Sequence, residues 1–186
     1  MSRVFYTADL HFNHDFVAGT RGYPYAAGHD EVLIERFNKH VTKRDHLWIL
    51  GDLGMGSLTK VLEKASRLNG VKHLVLGNHD PGHPMHKGSH NKLRRYYDVF
   101  ESVSLHEQHT IKGTKFMLSH FPYFGDHKDE DRYTEWRLQD TGMNLLCGHL
   151  HHLLPEGEQE ARVANVGVDH FQHPVTQEEI AYAFRL

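Results

Sequence analysis

The sequence predicts an α/β fold built on a parallel sheet, because three short apolar runs alternate with segments of helical periodicity. The runs are VFYTA at 4–8, HLWIL at 46–50 and VKHLVL at 71–76. Continuous apolar runs of this length are typical of strands buried on both faces. Since strand–helix–strand units cross over with a right hand, we expect the three strands to lie parallel in one sheet.

The segments between these strands predict two helices. After a polar, glycine-rich loop, residues 30–41 carry apolar residues at helical spacing. Residues 57–69 do so again, with Ser57 as the predicted N-cap and Gly70 as the stop signal. The order strand, helix, strand, helix, strand completes the prediction for the first half of the chain.

The second half predicts shorter elements. A loop over 81–88 and a short helix over 91–97 come first. Strands are predicted near 99–105, 108–111, 116–119, 144–147 and 162–166, with a partly helical polar stretch over 126–141. Thr176 and Glu179 form a capping-box pattern that opens a carboxyl-terminal helix. No repeat or linker interrupts the pattern, so we expect residues 1–186 to form a single domain.

Composition excludes several classes of protein. The net charge of -3 offers no basic excess for a nucleic-acid backbone, so no stable nucleic-acid partner is expected. Cys147 is the only cysteine, which rules out an intrachain disulfide. We find no apolar stretch of membrane-spanning length and no signal-peptide pattern, and therefore expect a cytoplasmic protein without a membrane partner. The sequence does not indicate an oligomeric state.

Seven residues of metal-ligand type occur in five short signatures, each of which directly follows an apolar run. They are Asp9 and His11 in DLH, Asp52 in GDLG, Asn78 in GNHD, His120 in SHFP, and His149 and His151 in GHLH. Ligands of open α/β sheets bind beyond the carboxyl ends of the strands. We therefore expect the seven side chains to converge on one rim.

These residue types suit a pair of divalent metals. Hydrolytic metal pairs take oxygen and imidazole ligands, and at least one carboxylate must bridge them. In an extended backbone, Asp-x-His and His-x-His each place two side chains on the same side. Gly51, Gly77 and Gly148 each precede a candidate ligand, which indicates tight turns where a Cβ would obstruct the backbone. Each motif alone is weak evidence for a metal site. The prediction depends on all five motifs occurring in this order, each after a strand.

DLH, GD, GNHD, SH and GHLH in this order resemble the calcineurin-like metallophosphoesterase superfamily over nearly the whole chain. The resemblance extends to the small bacterial and phage phosphoesterases through DLHFNH, LGDL, SHFPY, CGHLH and NVGVD. It implies a four-layer α/β fold, in which two mixed β-sheets are sandwiched by helices. It also implies a dinuclear metal centre at the edge of the sheets.

Carried over position by position, the resemblance implies two ligand groups that share one carboxylate. Asp9, His11 and His151 would hold one metal, Asn78, His120 and His149 would hold the other, and Asp52 would bridge them. A metal-bridging hydroxide would attack phosphorus, and His79 would be the general acid for the leaving group. Mn²⁺ is the first expectation for the metals, with Fe²⁺, Zn²⁺, Co²⁺ and Ni²⁺ as alternatives.

One departure from the superfamily bears on the substrate. Protein phosphatases of the superfamily carry GDxVDRG at the second motif, whereas this chain has GDLGMG. We therefore expect a phosphodiesterase that acts on small phosphoesters, with cyclic nucleotides in first place and some phosphomonoesterase activity. The alternatives are a nuclease and a protein-binding scaffold of the same fold whose function does not depend on catalysis.

Several further residues are candidates for substrate contact or support. His14 and Arg21, in the loop after the first signature, are predicted to contact substrate, and Arg132 is a further candidate. The alternative for each is a solvated loop charge. The remaining candidates are Tyr123 and Phe124 for stacking on a base or packing in a turn, and Asn165 and Asp169 for support of the rim.

Overall fold

Two β-sheets form the framework of the computed structural model, which describes residues 2–153 and 161–186. In chain order the strands are β1 (Val4–Thr7), β2 (His46–Leu50), β3 (Val71–Val75), β4 (Ser102–Ser104), β5 (His106–Ile111), β6 (Thr114–Ser119), β7 (Asn144–Cys147), β8 (Val163–Asn165) and β9 (Val175–Thr176). The first sheet has the order β4-β3-β2-β1-β9, and the second has the order β5-β6-β7-β8.

Both sheets are mixed. Strands β1 to β4 run parallel, and β9 pairs antiparallel with β1. In the second sheet β6, β7 and β8 run parallel, and β5 pairs antiparallel with β6. An isolated parallel bridge joins Ala8, just after β1, to Gly167, just after β8. The carboxyl ends of strands from the two sheets therefore meet at one edge, and the fold class predicted from the sequence is confirmed.

Alternation along β2 shows how the layers pack. Leu47 and Ile49 point into a core that they share with α2 (Ala26–His40) and α3 (Leu58–Ser66). Trp48 and Leu50 point the other way, into a core shared with β6 and β7 of the second sheet. Successive strand residues face opposite sides of a sheet, so a strand buried on both faces must be apolar throughout. This explains the continuous apolar run HLWIL.

The remaining helices are short. They are α1 (Asp15–Thr20), α4 (Ser89–Tyr96) and α5 (Gln177–Ala183), and a 3-10 turn covers Thr134–Trp136. The predicted capping box at α5 is confirmed, because Thr176 Oγ1 accepts from Glu179 N while the Glu179 carboxylate accepts from Thr176 N. Among the described residues, no helix has the length and apolar character needed to cross a membrane.

Several boundaries differ from prediction. Helix α1 lies where a loop is predicted, because six residues are too few to show a helical repeat. Helix α2 begins at Ala26 rather than at residue 30, and α3 ends at Ser66 rather than at residue 69. Strand β9 was not predicted, since its two residues carry no alternation. Of the stretch 126–141, only the 3-10 turn is helical.

Candidate metal centre

The structure brings all seven predicted ligands to the edge where the strands of both sheets end. Six of them are buried, and His151 is partly exposed. The loop after β1 lies along the loop after β2, with Asp9 N donating to Gly51 O and His11 N donating to Asp52 O, both at 3.0 Å. Asp9 Oδ2 accepts from His149 N at 3.0 Å and so links the first sheet to the loop after β7.

The first ligand group, Asp9, His11 and His151, has ligand atoms that lie within 4.8 Å of one another. His11 Nε2 is 3.9 Å from Asp9 Oδ1. The rings of His11 and His151 stack with their centroids 5.0 Å apart. An ion between these three side chains would meet one carboxylate oxygen and two imidazole nitrogens.

The second ligand group, Asn78, His120 and His149, converges on one oxygen. Asn78 Oδ1 lies 3.0 Å from His120 Nε2 and 3.0 Å from His149 Nδ1. The other ring nitrogen of His120 donates to the Leu50 carbonyl at 2.9 Å, which leaves Nε2 to face the site. The three side chains therefore lie close enough together to hold one ion.

Asp52 lies between the two groups. Its Oδ2 is 3.7 Å from His11 Nε2, and its Oδ1 is 3.5 Å from His120 Nε2. The backbone that carries Asp52 is held by buried Asp80, whose carboxylate accepts from Asp52 N at 3.0 Å and from Leu53 N at 3.1 Å. Asp52 thus presents one oxygen toward each ligand group and would be shared by the two metals if both were bound.

Five of the seven candidate ligands have positive φ angles. They are Asp9 (φ 60), His11 (φ 51), Asp52 (φ 53), His149 (φ 68) and His151 (φ 51). A left-handed backbone costs a residue with a Cβ roughly 1–2 kcal/mol. Such strain persists where the surrounding structure enforces it and concentrates at functional sites. The five positive φ angles therefore support the same rim as the candidate functional site.

Three glycines are required by the close approach of ligand side chains, and a Cβ on the first of them, Gly51, would press against the His120 ring. A Cβ on Gly148 would lie 2.6 Å from Asp9 Oδ2, and a Cβ on Gly77 would press against the Asp52 carboxylate. None of these contacts leaves room for a methyl group. The predicted tight turns are thus explained by the ligands that they admit.

The residues present fit a pair of divalent cations. Among the described residues, buried Asp9 Oδ1 and both ring nitrogens of His11 have no hydrogen-bond partner. Burial raises the pKa of Asp9 to about 6, and burial also raises the pKa of Asp52. Buried polar atoms without hydrogen bonds, and buried carboxylates that are ionised without a partner, cost folding free energy. A bound cation would remove this cost. Carboxylate, amide and imidazole donors without thiolate suit Mn²⁺ and the later divalent metals.

His79 lies beside Asp52 at the open side of the site. Its Nε2 is 3.9 Å from Asp52 Oδ2, and its side chain is 33% exposed. His79 N donates to Asp52 Oδ1 at 2.8 Å, so the backbone of GNHD holds both side chains in place. Burial, and then the positive charges of His14 and other histidines, lower the pKa of His79 to about 4.

The two predicted substrate contacts differ in their surroundings. His14 lies next to His79, with ring centroids 5.9 Å apart, and both line the same cleft. The Arg21 guanidinium instead binds Asp169 through Nε and Nη2, both at 2.8 Å, and donates to the Asp9 carbonyl at 2.8 Å. This arrangement favours a supporting role for Arg21 over the predicted contact with substrate.

Asp126, which was not predicted from the sequence, contacts a ligand side chain. Asp126 has a fully buried side chain, and its Oδ2 lies 3.2 Å from His149 Nε2. Arg132, predicted as a substrate contact, donates to this carboxylate at 2.8 and 3.1 Å. Asp126 is one of several acidic residues in the stretch 126–141, and no local pattern distinguishes it.

The remaining candidates lie close to the rim. Asp169 Oδ2 is 3.1 Å from His151 Nδ1, and Asn165 donates to the His151 carbonyl at 3.0 Å, so both support the rim as predicted. Tyr123 is buried and donates to the Met143 carbonyl at 3.1 Å, which fits turn packing rather than stacking on a base. Phe124 is 54% exposed.

Known proteins place the chain in a family. The family model described as the calcineurin-like phosphoesterase superfamily domain matches residues 3–184. The "Gene 66 protein" of Mycobacterium phage D29 is 37% identical over 189 residues, which cover 97% of this chain and 94% of that protein. The "Gene 66 protein" of Mycobacterium phage L5 is 36% identical over 192 residues, with 97% and 93% covered.

Solved structures support the same fold. A protein of unknown function from Aquifex aeolicus superimposes with a TM-score of 0.73 at 23% identity, over 98% of this chain and 99% of that one. A likeness at this identity concerns the fold alone. The family match over nearly the whole chain shows that the protein belongs to the calcineurin-like phosphoesterase superfamily.

Proposed function

We propose that the protein is a dinuclear metal-dependent phosphodiesterase that hydrolyses small phosphodiesters, with cyclic nucleotides as the leading substrate class and some phosphomonoesterase activity. Membership of the superfamily makes it a hydrolase of phosphoester bonds. The observation that carries the dinuclear proposal is Asp52, whose two carboxylate oxygens face the two ligand groups at 3.7 and 3.5 Å.

In this proposal each ligand group holds one metal, and Mn²⁺ is the expected ion. When bound, the two metals would neutralise phosphate charge and lower the pKa of a water between them toward neutrality. Asp52 would supply the negative charge that the two cations share. The hydrogen bond from His120 to the Leu50 carbonyl fixes the ring of this ligand before any metal arrives.

His79 is the proposed general acid. Its exposed edge beside Asp52 would meet a phosphoryl group that is bound at the metals, and its imidazole would protonate the leaving oxygen. Burial and the neighbouring histidines favour the neutral ring of His79, because they lower its pKa. The negative charge of a bound phosphate favours the imidazolium, so substrate binding itself would raise the pKa of His79.

The cleft over the site suits a small substrate. It has a volume of about 440 Å³ and is lined by His11, His14, Phe16, His79 and His151 among others. This volume lies within the range of small-molecule sites. Phe16 is 77% exposed at this cleft, and Lys128 contributes a positive charge to its wall. An aromatic ring and a cation beside a phosphate site match a nucleotide with one phosphate.

A substrate panel tests the proposal. The purified chain, reconstituted with Mn²⁺, should hydrolyse bis-p-nitrophenyl phosphate and nucleoside 2′,3′- or 3′,5′-cyclic phosphates, and EDTA should abolish the activity. Single-stranded RNA and DNA are the matched polymer substrates. Turnover no higher than in the chelated control would refute the proposal, and faster cleavage of the polymers than of cyclic phosphates would identify a nuclease.

A further inference from the structure

Each histidine of GHLH is held by a carboxylate that lies outside the five signatures. His151 Nδ1 faces Asp169 Oδ2 at 3.1 Å, and His149 Nε2 faces Asp126 Oδ2 at 3.2 Å. Each carboxylate is in turn bound by an arginine, Arg21 for Asp169 and Arg132 for Asp126. The second unit, Asp126–Arg132, comes from the stretch 126–141, which was predicted to be polar and partly helical, with Arg132 as a candidate substrate contact.

The charge of Asp126 is maintained by its neighbours. Its side chain is fully buried and pairs with the Arg132 guanidinium, which is always protonated, so the carboxylate is ionised. Arg132 donates through Nη2 to Oδ1 and through Nε to Oδ2. An ionised carboxylate only accepts hydrogen bonds, so the nitrogen of His149 that faces it must carry a proton.

That requirement determines which nitrogen of His149 is available. With the proton on Nε2, the neutral ring presents the Nδ1 lone pair toward Asn78 Oδ1, where the second ligand group converges. The opposite tautomer would direct an N–H into the site and exclude a cation. Carboxylates that bind the far nitrogen of a ligand histidine commonly set its tautomer and orientation in this way.

A different role for the same residues is disfavoured. Asp126, His127 and His149 lie close enough together to suggest a further metal site. However, both oxygens of Asp126 are engaged by the Arg132 guanidinium, and a cation placed there would be repelled by it. The cluster is therefore better explained as an ion pair of Asp126 and Arg132 that holds the His149 ring in place.

We infer that Asp126 and Arg132 are positioning residues, which hold His149 in the tautomer that binds the second metal through Nδ1. The inference rests on the proposed dinuclear function. It predicts that the two metal sites can be separated by mutation, because Asp126 contacts a ligand of the second group only, among the contacts of the described residues.

The experiment is a count of Mn²⁺ bound to the purified chain, by equilibrium dialysis with elemental analysis, together with the electron paramagnetic resonance spectrum of the coupled pair. In Asp126→Asn, the amide keeps the shape but can donate to Nε2 and thereby favour the wrong tautomer of His149. We expect one Mn²⁺ to bind as in the wild type, the second to bind about 10- to 100-fold more weakly, and the coupled signal to disappear.

Asp131→Asn is the matched control, because Asp131 also pairs with an arginine, Arg137, but is 53% exposed. It should bind two Mn²⁺ ions as the wild type does. Arg132→Gln leaves the carboxylate in place and should give a smaller loss at the same site. Thermal unfolding of the metal-free protein shows whether Asp126→Asn folds. If it does not fold, Arg132→Gln is the variant that tests the inference.

Three outcomes would overturn the inference. Two Mn²⁺ ions bound with wild-type affinity and a normal coupled signal, in folded Asp126→Asn or in Arg132→Gln, would show that His149 needs no partner. Equal weakening of both ions with a lower unfolding temperature would show a general structural role instead. A wild-type chain that binds fewer than two Mn²⁺ ions would refute the proposed function, and this inference with it.

Discussion

The two sheets supply the candidate metal centre with different kinds of group. Strands β1, β2 and β3 of the first sheet are followed by both carboxylates and the amide, Asp9, Asp52 and Asn78, and also by His11. Strands β6 and β7 of the second sheet are followed by imidazoles alone, which are His120, His149 and His151. The anionic half of the site therefore belongs to one sheet and the neutral half to the other.

The difference shows what each kind of ligand needs. A carboxylate attracts a cation whichever oxygen it presents. An imidazole binds only through a deprotonated nitrogen, so its tautomer must be set by a neighbour. Each second-sheet histidine has such an acceptor, Leu50 O, Asp126 or Asp169. His11 of the first sheet has none among the described residues and is held by burial and by stacking on His151.

Loss of the shared anion should have the largest effect. Asp52→Asn removes the charge that faces both ligand groups, so both metals should bind more weakly. We expect turnover of bis-p-nitrophenyl phosphate to fall by about 10³-fold or more, since metal stabilisation of the transition state amounts to several kcal/mol. Asp45→Asn, another buried carboxylate outside the site, is the control. Near-normal turnover in Asp52→Asn would contradict the bridging role.

His79→Ala tests the first sheet without removing a ligand. The metal content should remain near two, while kcat falls by about 10²-fold because the proton donor is lost. A diester with an alkyl leaving group should lose more activity than bis-p-nitrophenyl phosphate, since p-nitrophenolate leaves without much help from a proton. Equal losses for both leaving groups, or loss of the metals, would rule out the general-acid role.

Asp169→Asn tests the second sheet and mirrors the change at Asp126. The variant should weaken one Mn²⁺ site by about 10- to 100-fold, through His151 rather than His149. It should also lower the unfolding temperature, because Arg21 loses its partner in a part-buried ion pair. The double variant with Asp126→Asn should weaken both sites. Metal affinity is measured by titration calorimetry, and unchanged binding in Asp169→Asn would contradict the comparison.

Asp45 is a buried carboxylate outside the candidate metal centre, and hydrogen bonds stabilise its charge. It therefore contrasts with Asp9, whose pKa burial raises. Burial alone would also raise the pKa of Asp45, but donors from Arg3 and Thr42 lower the pKa of Asp45 from 3.8 to about 2. Its stabilisation is therefore present above pH 3.8 and is lost as the pH falls through about 2. Asp45→Asn should lower the free energy of unfolding by about 1–3 kcal/mol at pH 7.

Urea unfolding at a series of pH values measures this effect. The difference between Asp45→Asn and the wild type should shrink as the pH falls below 4 toward 2, where the wild-type carboxyl is itself protonated. A difference that is constant over this range would show that the charge of Asp45 does not matter.

The smallest effect is expected at the wall of the cleft. Phe16→Ala should raise the KM for nucleoside cyclic phosphates by about fivefold, the lower end of what stacking on a base contributes. Tyr182→Ala is the matched control, because Tyr182 is 88% exposed and does not line the cleft. An equal change in both variants would argue against a base at Phe16.

Much of both sheets was predictable because the signals for their strands are local. β2 and β7 have the predicted bounds, and each candidate ligand follows its strand within a few residues. The same locality explains the errors. Helix α1 and strand β9 are too short to show a period, and Ser57 was predicted to cap α3 although its side chain makes no capping hydrogen bond. Short elements form through contacts with the rest of the fold, which periodicity does not record.

The sequence by itself determined the kind of site, because residue type and position after a strand are local properties, and the ligand order identified the family. Only the tertiary structure decided how the ligands are supported. Asp126 lies 23 residues from His149 in the chain, and Arg21 lies 148 residues from Asp169. Asp126 and His149 meet because β6 and β7 pair within the second sheet, whereas Arg21 and Asp169 meet only when the two sheets have packed. No pattern of neighbours along the chain records which distant charges the fold brings together.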